Sequence, residues 1–223
     1  MAHHFFITGT DTDIGKTYVT VGLLKAFNRA GYKTVGLKPV ASGCNLIDAA
    51  LQNQDALSLQ ENSTVQLPYP LINPFAFEDP IAPHFAAHKA GTELSCHVIL
   101  RQMEQALNYA ADIFCIEGVG GWQVPLNATE TMADLVQQAQ WPVILVVGIR
   151  LGCLSHAILT YESLQMKDIP IAGWIANVSQ PHLDNVLPMT MTLQRRFAAP
   201  CLGMIGYQQP AEDRLDIGLL QLI

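Results

Sequence analysis

Short, almost unbroken apolar runs alternate along this chain with longer stretches whose apolar positions recur every three or four residues. The runs are HFFIT (4–8), KTVGLK (33–38), ADIFCIEG (111–118), PVILVVG (142–148), IAGWIAN (171–177) and CLGMIG (201–206). Strands covered on both faces read as continuous apolar runs and not as strict alternation, so these six predict buried strands. Between them, residues 16–30 place Val19, Leu23, Ala26 and Phe27 on one helical face, and Gly31 follows as a stop. Residues 153–166 do the same with Leu154, Ala157, Ile158, Tyr161 and Leu164, and 93–110 reads as a further helix. Strand and helix in alternation predict an α/β fold, with a mainly parallel central sheet and helices on both faces. The 223 residues suit a single domain spanning 1–223.

The stretch 62–85 breaks the rhythm. It holds Pro68, Pro70, Pro74, Pro80 and Pro83 among aromatic residues, too many prolines for a central element. It reads either as a linker or as a surface loop or lid beside a site. Composition narrows the function. A net charge of −7 and few Lys and Arg argue against a nucleic-acid surface. WPVILVVGI is too short to span a membrane, and MAHHFFITG lacks the basic region and cleavage site of a signal peptide. The five cysteines are far apart with no CxxC pair, which suits free thiols in a reducing cytoplasm. His3 and His4 are adjacent on a strand and point to opposite faces, so they read as its solvated start and not as a metal pair.

Chemistry enters at GTDTDIGKT (9–17). A phosphate-binding loop reads G-x-x-x-x-G-K-[ST] between a strand and a helix. Here Gly15, Lys16 and Thr17 close it, while the opening Gly9 stands one place early and Thr10 occupies the usual glycine position. The apolar strand before it and the amphipathic helix after it make the fold P-loop NTPase-like. Backbone N–H groups of residues 13–18 would face phosphates, aided by the helix dipole. Lys16 would neutralise β- and γ-phosphate oxygens, and the Thr17 hydroxyl would ligate Mg²⁺. Glu117, in CIEGVGG, sits at the C-terminal end of a buried strand, where open α/β sheets bind ligands, and is a second Mg²⁺ ligand candidate. Asp55, in NQDALSLQ, carries less signal from spacing alone.

Further motifs extend the pattern in order. KPVASG (38–43), DAL (55–57), EGVGGW (117–122), LGCLSHAILT (151–160) and GWIAN (173–177) together resemble the dethiobiotin synthetase family, over residues 5 to about 206. The resemblance implies an ATP- and Mg²⁺-dependent cyclo-ligase of biotin biosynthesis that forms C–N bonds and releases ADP and phosphate. Its substrates are 7,8-diaminopelargonate, CO₂ (or bicarbonate) and ATP. One amine takes up CO₂ as a carbamate, the carbamate attacks the γ-phosphate to give a carbamic–phosphoric anhydride, and the second amine closes the ureido ring. The resemblance also implies a homodimer; the charge and the short apolar runs already argue for no nucleic acid and no membrane.

Position by position, it implies Thr17, Asp55 and Glu117 as metal ligands, and Lys16 and Lys38 as cations beside the carbamate and γ-phosphate. Thr12, Asp13 and Ser42 would contact substrate. Gly152, Cys153, Leu154 and Ser155 would meet its far carboxylate across the dimer. The nucleotide would lie against Asp13, Ile14, Gly15, Tyr18, Gly118, Val119 and Gly120, with Asn177 and Val178 at the adenine and Gly206, Tyr207 and Gln208 as a lid. Three positions depart from the family: 13 is often Glu, 155 often Asn, and Val178 stands where an acid is usual. The two aspartates of the loop then have a use. Asp13 can counter an ammonium or take a proton as carbamate forms, and Asp11 braces the turn. Cys153, Ser155 and His156 open a helix with no acidic partner nearby, so no nucleophile–base pair is read there. An amide-forming ligase of the cobyrinate or CTP-synthase type would need a glutaminase domain. A partitioning-type ATPase would carry a second lysine early in the loop, and positions 10–14 have none.

Overall fold

In the computed structural model, which describes residues 2–220, all six apolar runs become strands of one parallel sheet. Following the chain, β1 (His3–Gly9) leads into α1 (Lys16–Arg29) and β2 (Thr34–Leu37). Three short strands follow, β3 (Val40–Ala41), β4 (Asn45–Ile47) and β5 (Ala50–Gln52), then α2 (Gln54–Asn62) and α3 (Tyr69–Ile72). Next come β6 (Phe75–Ala76), α4 (Pro83–Lys89), α5 (Cys96–Leu107) and β7 (Ile113–Glu117). The second half runs α6 (Met132–Ala139), β8 (Val143–Gly148), α7 (Cys153–Met166), β9 (Ile171–Asn177), α8 (Val186–Arg196) and β10 (Cys201–Ile205). The sheet order is β10-β9-β8-β1-β7-β2. β1 is therefore central, flanked by β7 and β8, and the chain changes direction across the sheet beside it. Crevices form outside the carboxyl ends of strands at such a switch point.

Side-chain alternation divides the strands between two cores. Phe6, Phe114, Ile116, Leu145 and Trp174 pack with Ile99 and Met103 of α5, Leu135 of α6 and Leu164 of α7. On the other face, Phe5, Ile7, Ile144, Val146 and Ile175 meet Val19, Leu23, Leu24 and Phe27 of α1. Each such side chain, fully buried, contributes about 1.5–3 kcal/mol, so this face pins α1 and the loop before it. The outer edge of β2 is buried and satisfied by side chains: Thr34 N donates to Thr64 Oγ1 at 2.7 Å and Gly36 N to Ser63 Oγ at 2.8 Å.

Two expectations change. His3 and His4 are not a solvated start; both are partly buried, and the His4 ring stacks on Phe114 at 4.9 Å between centroids. Burial, with His3 beside it, lowers the His4 pKa. The proline-rich stretch is not a linker, and it is more regular than a loop. It contributes α3, β6 and the start of α4, and Leu67, Ile72, Phe75 and Phe77 enter the core. Its prolines sit where no ladder donor is needed, at Pro68 before α3 and Pro83 opening α4. Cys44, Cys96, Cys115 and Cys153 are buried free thiols, and Cys201 is partly buried. Among the described residues, no helix is long and apolar enough to cross a membrane.

Candidate active site

The loop after β1 turns sharply into α1. Gly15 caps the helix at φ 83°, in the left-handed region, and a Cβ there would lie 2.3 Å from Asn177 Nδ2. Only glycine meets both conditions. Asn177, at the end of β9 and 3% exposed, donates from Nδ2 to Ile14 O at 2.6 Å and so braces the loop from below. Ile14 plugs into the sheet end, where a Cβ on Gly148 would stand 2.5 Å from its Cγ2. Asp13 adopts φ 55° and is exposed at the loop's tip.

Lys16 opens α1 almost buried and donates to Asp11 O at 2.8 Å. Burial, followed by the neighbouring Lys38 charge, lowers its pKa to about 8. An ammonium held this way gains by donating to anionic phosphate oxygens. Asp11 braces the turn as expected, its Oδ1 accepting from Thr12 N at 2.8 Å. It has a second partner that the sequence did not reveal: Oδ2 pairs with Arg150, which follows β8. Their separation of 139 residues leaves no local sequence signal.

Lys38 closes the far side. It lies at the end of β2, 4% exposed, and its Nζ reaches Glu117 Oε1 at 2.5 Å, Asp55 Oδ2 at 3.1 Å and Gly118 O at 3.2 Å. Burial is the largest single influence and opposes the charge. The attraction of Glu117 and Asp55 together outweighs it, so the net pKa shift is upward and Lys38 stays protonated. Thr17 Oγ1 donates to the same Glu117 Oε1 at 2.8 Å. Glu117 is fully buried and its Oε2 has no hydrogen-bond partner. An orphaned buried carboxylate oxygen is costly unless something cationic reaches it.

Asp55 and Glu117 thus converge on one ammonium and Thr17 joins them through Glu117, an arrangement that suits a divalent cation with oxygen ligands. Among the described residues no cluster of three or more His, Cys, Asp or Glu forms. Two carboxylates and a hydroxyl fit Mg²⁺, which keeps several waters and takes phosphate oxygens as further ligands. These side chains line a cavity of about 670 Å³ together with Thr12, Asp13, Gly15, Ser42, Val119 and Gly120. Pro80 of the proline-rich stretch also lines it, as do Ala41 and Asn53, which the sequence did not mark.

Other expected residues lie elsewhere. Gly118 is buried behind the cavity wall, holding Lys38 through its carbonyl. Val178 is 8% exposed and packed in the core, so its side chain is not open to a base. Tyr18 is exposed and its hydroxyl donates to Gln209 O, while Gly206 N donates to Gln209 Oε1 at 3.2 Å. This joins the segment with Gly206, exposed Tyr207 and Gln208 to the rim of α1. Gly152, Leu154 and Ser155 lie at the surface end of α7, outside the cavity. Cys153 turns inward, its Sγ 3.8 Å from Met189 Sδ, so only the backbone there faces outward.

A β1–loop–α1 unit with an embedded lysine, facing one carboxylate at the end of β7 and another in the first turn of α2, defines a P-loop nucleotide-binding protein. Solved structures agree on the fold. The septum site-determining protein MinD with Mg-ADP from Pyrococcus horikoshii superposes with a TM-score of 0.55 at 16% identity, covering 98% of this chain and 89% of that one. Cell division protein FtsY from Thermotoga maritima gives 0.54 at 14% identity, covering 96% and 64%. A family model described as an AAA domain matches residues 3–213. The ATP-dependent dethiobiotin synthetase BioD of Pseudomonas aeruginosa is 46% identical over 90% of this chain and 88% of its own. The protein of that name from Cellvibrio japonicus is 47% identical over the same shares, and that from Yersinia pestis 43% over 98% and 92%. The chain belongs to the dethiobiotin synthetase family, ATP-dependent ligases of biotin biosynthesis.

Proposed function

We propose that this protein closes the ureido ring of dethiobiotin on 7,8-diaminopelargonate, using CO₂ and ATP with Mg²⁺. The observation that carries the reading is the buried Lys38 ammonium, held between Glu117 and Asp55 opposite the Lys16 loop. Mg²⁺ bound by Thr17, Asp55 and Glu117 would offset charge on the phosphates. Lys16 and the loop amides bind the triphosphate. Asp13 and Ser42 would hold the substrate's amine end, and Asp13 would take the proton lost when an amine and CO₂ combine as a carbamate. The carbamate oxygen then attacks the γ-phosphorus, ADP leaves, and Lys38 stabilises charge on the transferring group. The second amine attacks the carbonyl carbon, the C–O bond to phosphate breaks, and the ring closes. A preorganised cation aimed at developing charge accelerates such steps more than it aids ground-state binding.

A homodimer fits the surface. Leu151, Leu159 and Met166 are exposed at 95%, 62% and 87%, and Leu187 on α8 at 58%. These exposed apolar side chains on and beside α7 suit a second copy, whose α7 start would supply the wall for the substrate's carboxylate. Burial of four of the five thiols is in keeping with a reducing cytoplasm. The test is ADP release with the diamine and bicarbonate omitted in turn. Turnover should need both; turnover indifferent to the diamine would overturn the reading.

A further inference from the structure

The proline-rich stretch runs alongside the segment that carries Lys38 and Ser42. Lys38 N donates to Ile72 O at 2.9 Å, Phe75 N to Pro39 O at 3.1 Å and Phe77 N to Ala41 O at 2.9 Å. β3 and β6 pair in parallel between them, and Cys44 N donates to Phe77 O at 2.9 Å. Asn73, 3% exposed, adds a side-chain bond from Nδ2 to Lys38 O at 2.7 Å. Both backbone groups of Lys38 are therefore held by residues 72–73.

Asp55 is held separately. Asn53 caps α2, its Oδ1 accepting from Asp55 N at 3.0 Å and Ala56 N at 3.3 Å. One side chain joins the two holders. The Tyr69 hydroxyl accepts from Asn53 N at 2.7 Å and donates to Asn73 Oδ1 at 2.9 Å. Both of its bonds go to buried groups, so the hydroxyl ties the cap of the helix bearing Asp55 to the amide that holds Lys38. Burial pushes the Tyr69 phenol up, which keeps it a donor.

We propose that Tyr69 is a positioning residue for the reaction, a clasp that sets Lys38 against Asp55 through Asn73 and Asn53. The inference rests on Lys38 and Asp55 belonging to the active site. Tyr69→Phe keeps the ring and removes both hydrogen bonds. It should lower kcat about tenfold, the scale of one well-placed hydrogen bond, with the KM for ATP unchanged because the Lys16 loop is untouched. The decisive readout is a cycle with Lys38→Gln, since residues acting through one group are not additive. In the Lys38→Gln background, Tyr69→Phe should cost less than about twofold. An equal loss in both backgrounds would make Tyr69 merely structural and overturn the clasp. Full rate from Lys38→Gln alone would overturn the active-site reading, and the clasp with it. Should Tyr69→Phe not accumulate as folded protein, Asn73→Ala, which removes the donor to Lys38 O, enters the same cycle with the same expected outcomes.

Discussion

Lys38→Gln probes both the chemistry and the packing of the site. The wild-type ammonium is 4% exposed and makes three contacts, the shortest at 2.5 Å to a fully buried Glu117. Removing one partner of a buried ion pair costs about 3–5 kcal/mol, because the other charge stays behind. Gln retains an N–H donor toward Glu117, so the loss falls near the lower end, about 3 kcal/mol. For a chain of this size each kcal/mol moves the thermal midpoint by about 2–4 °C, which gives a drop of roughly 6–12 °C. Added Mg²⁺ should recover part of it, since the ion offsets the charge that Lys38 no longer does. Loss of one preorganised donor lowers turnover by about a hundredfold, while ATP affinity changes little because Lys16 and the loop amides remain. Differential scanning fluorimetry with and without Mg²⁺, and steady-state kcat and KM for ATP, read both effects. A raised KM for ATP with kcat preserved would make Lys38 a nucleotide anchor, and an unchanged midpoint would contradict the buried pair.

Three further outcomes follow from the same geometry. Lys16→Ala should abolish turnover with the circular dichroism spectrum unchanged, because the ammonium's hydrogen bond goes to Asp11 O in the loop and to no core side chain. Glu117→Ala should raise the Mg²⁺ concentration needed for half-maximal activity at least about tenfold, since a near-octahedral site loses a carboxylate; an unchanged titration would remove Glu117 from the metal. Leu159→Glu, at an exposed position on α7, should convert a dimer to a monomer by light scattering and raise the KM for the diamine, with ATP binding retained.

Much of the fold was legible because its strands are covered on both faces. β1, β2, β7, β8, β9 and β10 all coincide with unbroken apolar runs, and α1, α5 and α7 with helical periodicity. α6 went unread although Thr131 and Asp134 form a capping box, a signal present in the sequence as T-x-x-D. The β4–β5 hairpin turns through Asp48 and Ala49, both with positive φ, and that pair is not the usual glycine-bearing turn. At the site, Lys16, Thr17 and Glu117 were readable from a loop and a strand end. Asp55 and Lys38 were named through the family motifs DAL and KPVASG and not from spacing, and it is the packing of α2 against β2 that brings them within 3.1 Å of each other. The Asp11–Arg150 pair and the Tyr69 clasp were invisible for the same reason. Each joins segments with no shared periodicity, and the clasp lies in a stretch whose prolines concealed its order.

The central claim, that a carbamate oxygen attacks the γ-phosphate in this pocket, is tested by following oxygen. The protein is supplied with ATP, Mg²⁺, 7,8-diaminopelargonate and CO₂ labelled with ¹⁸O, and the products are weighed by mass spectrometry. Attack through the carbamate predicts dethiobiotin together with inorganic phosphate carrying one labelled oxygen from CO₂, because the C–O bond breaks when the ring closes. Dethiobiotin formed with unlabelled phosphate, under conditions where the CO₂ keeps its label, would contradict it.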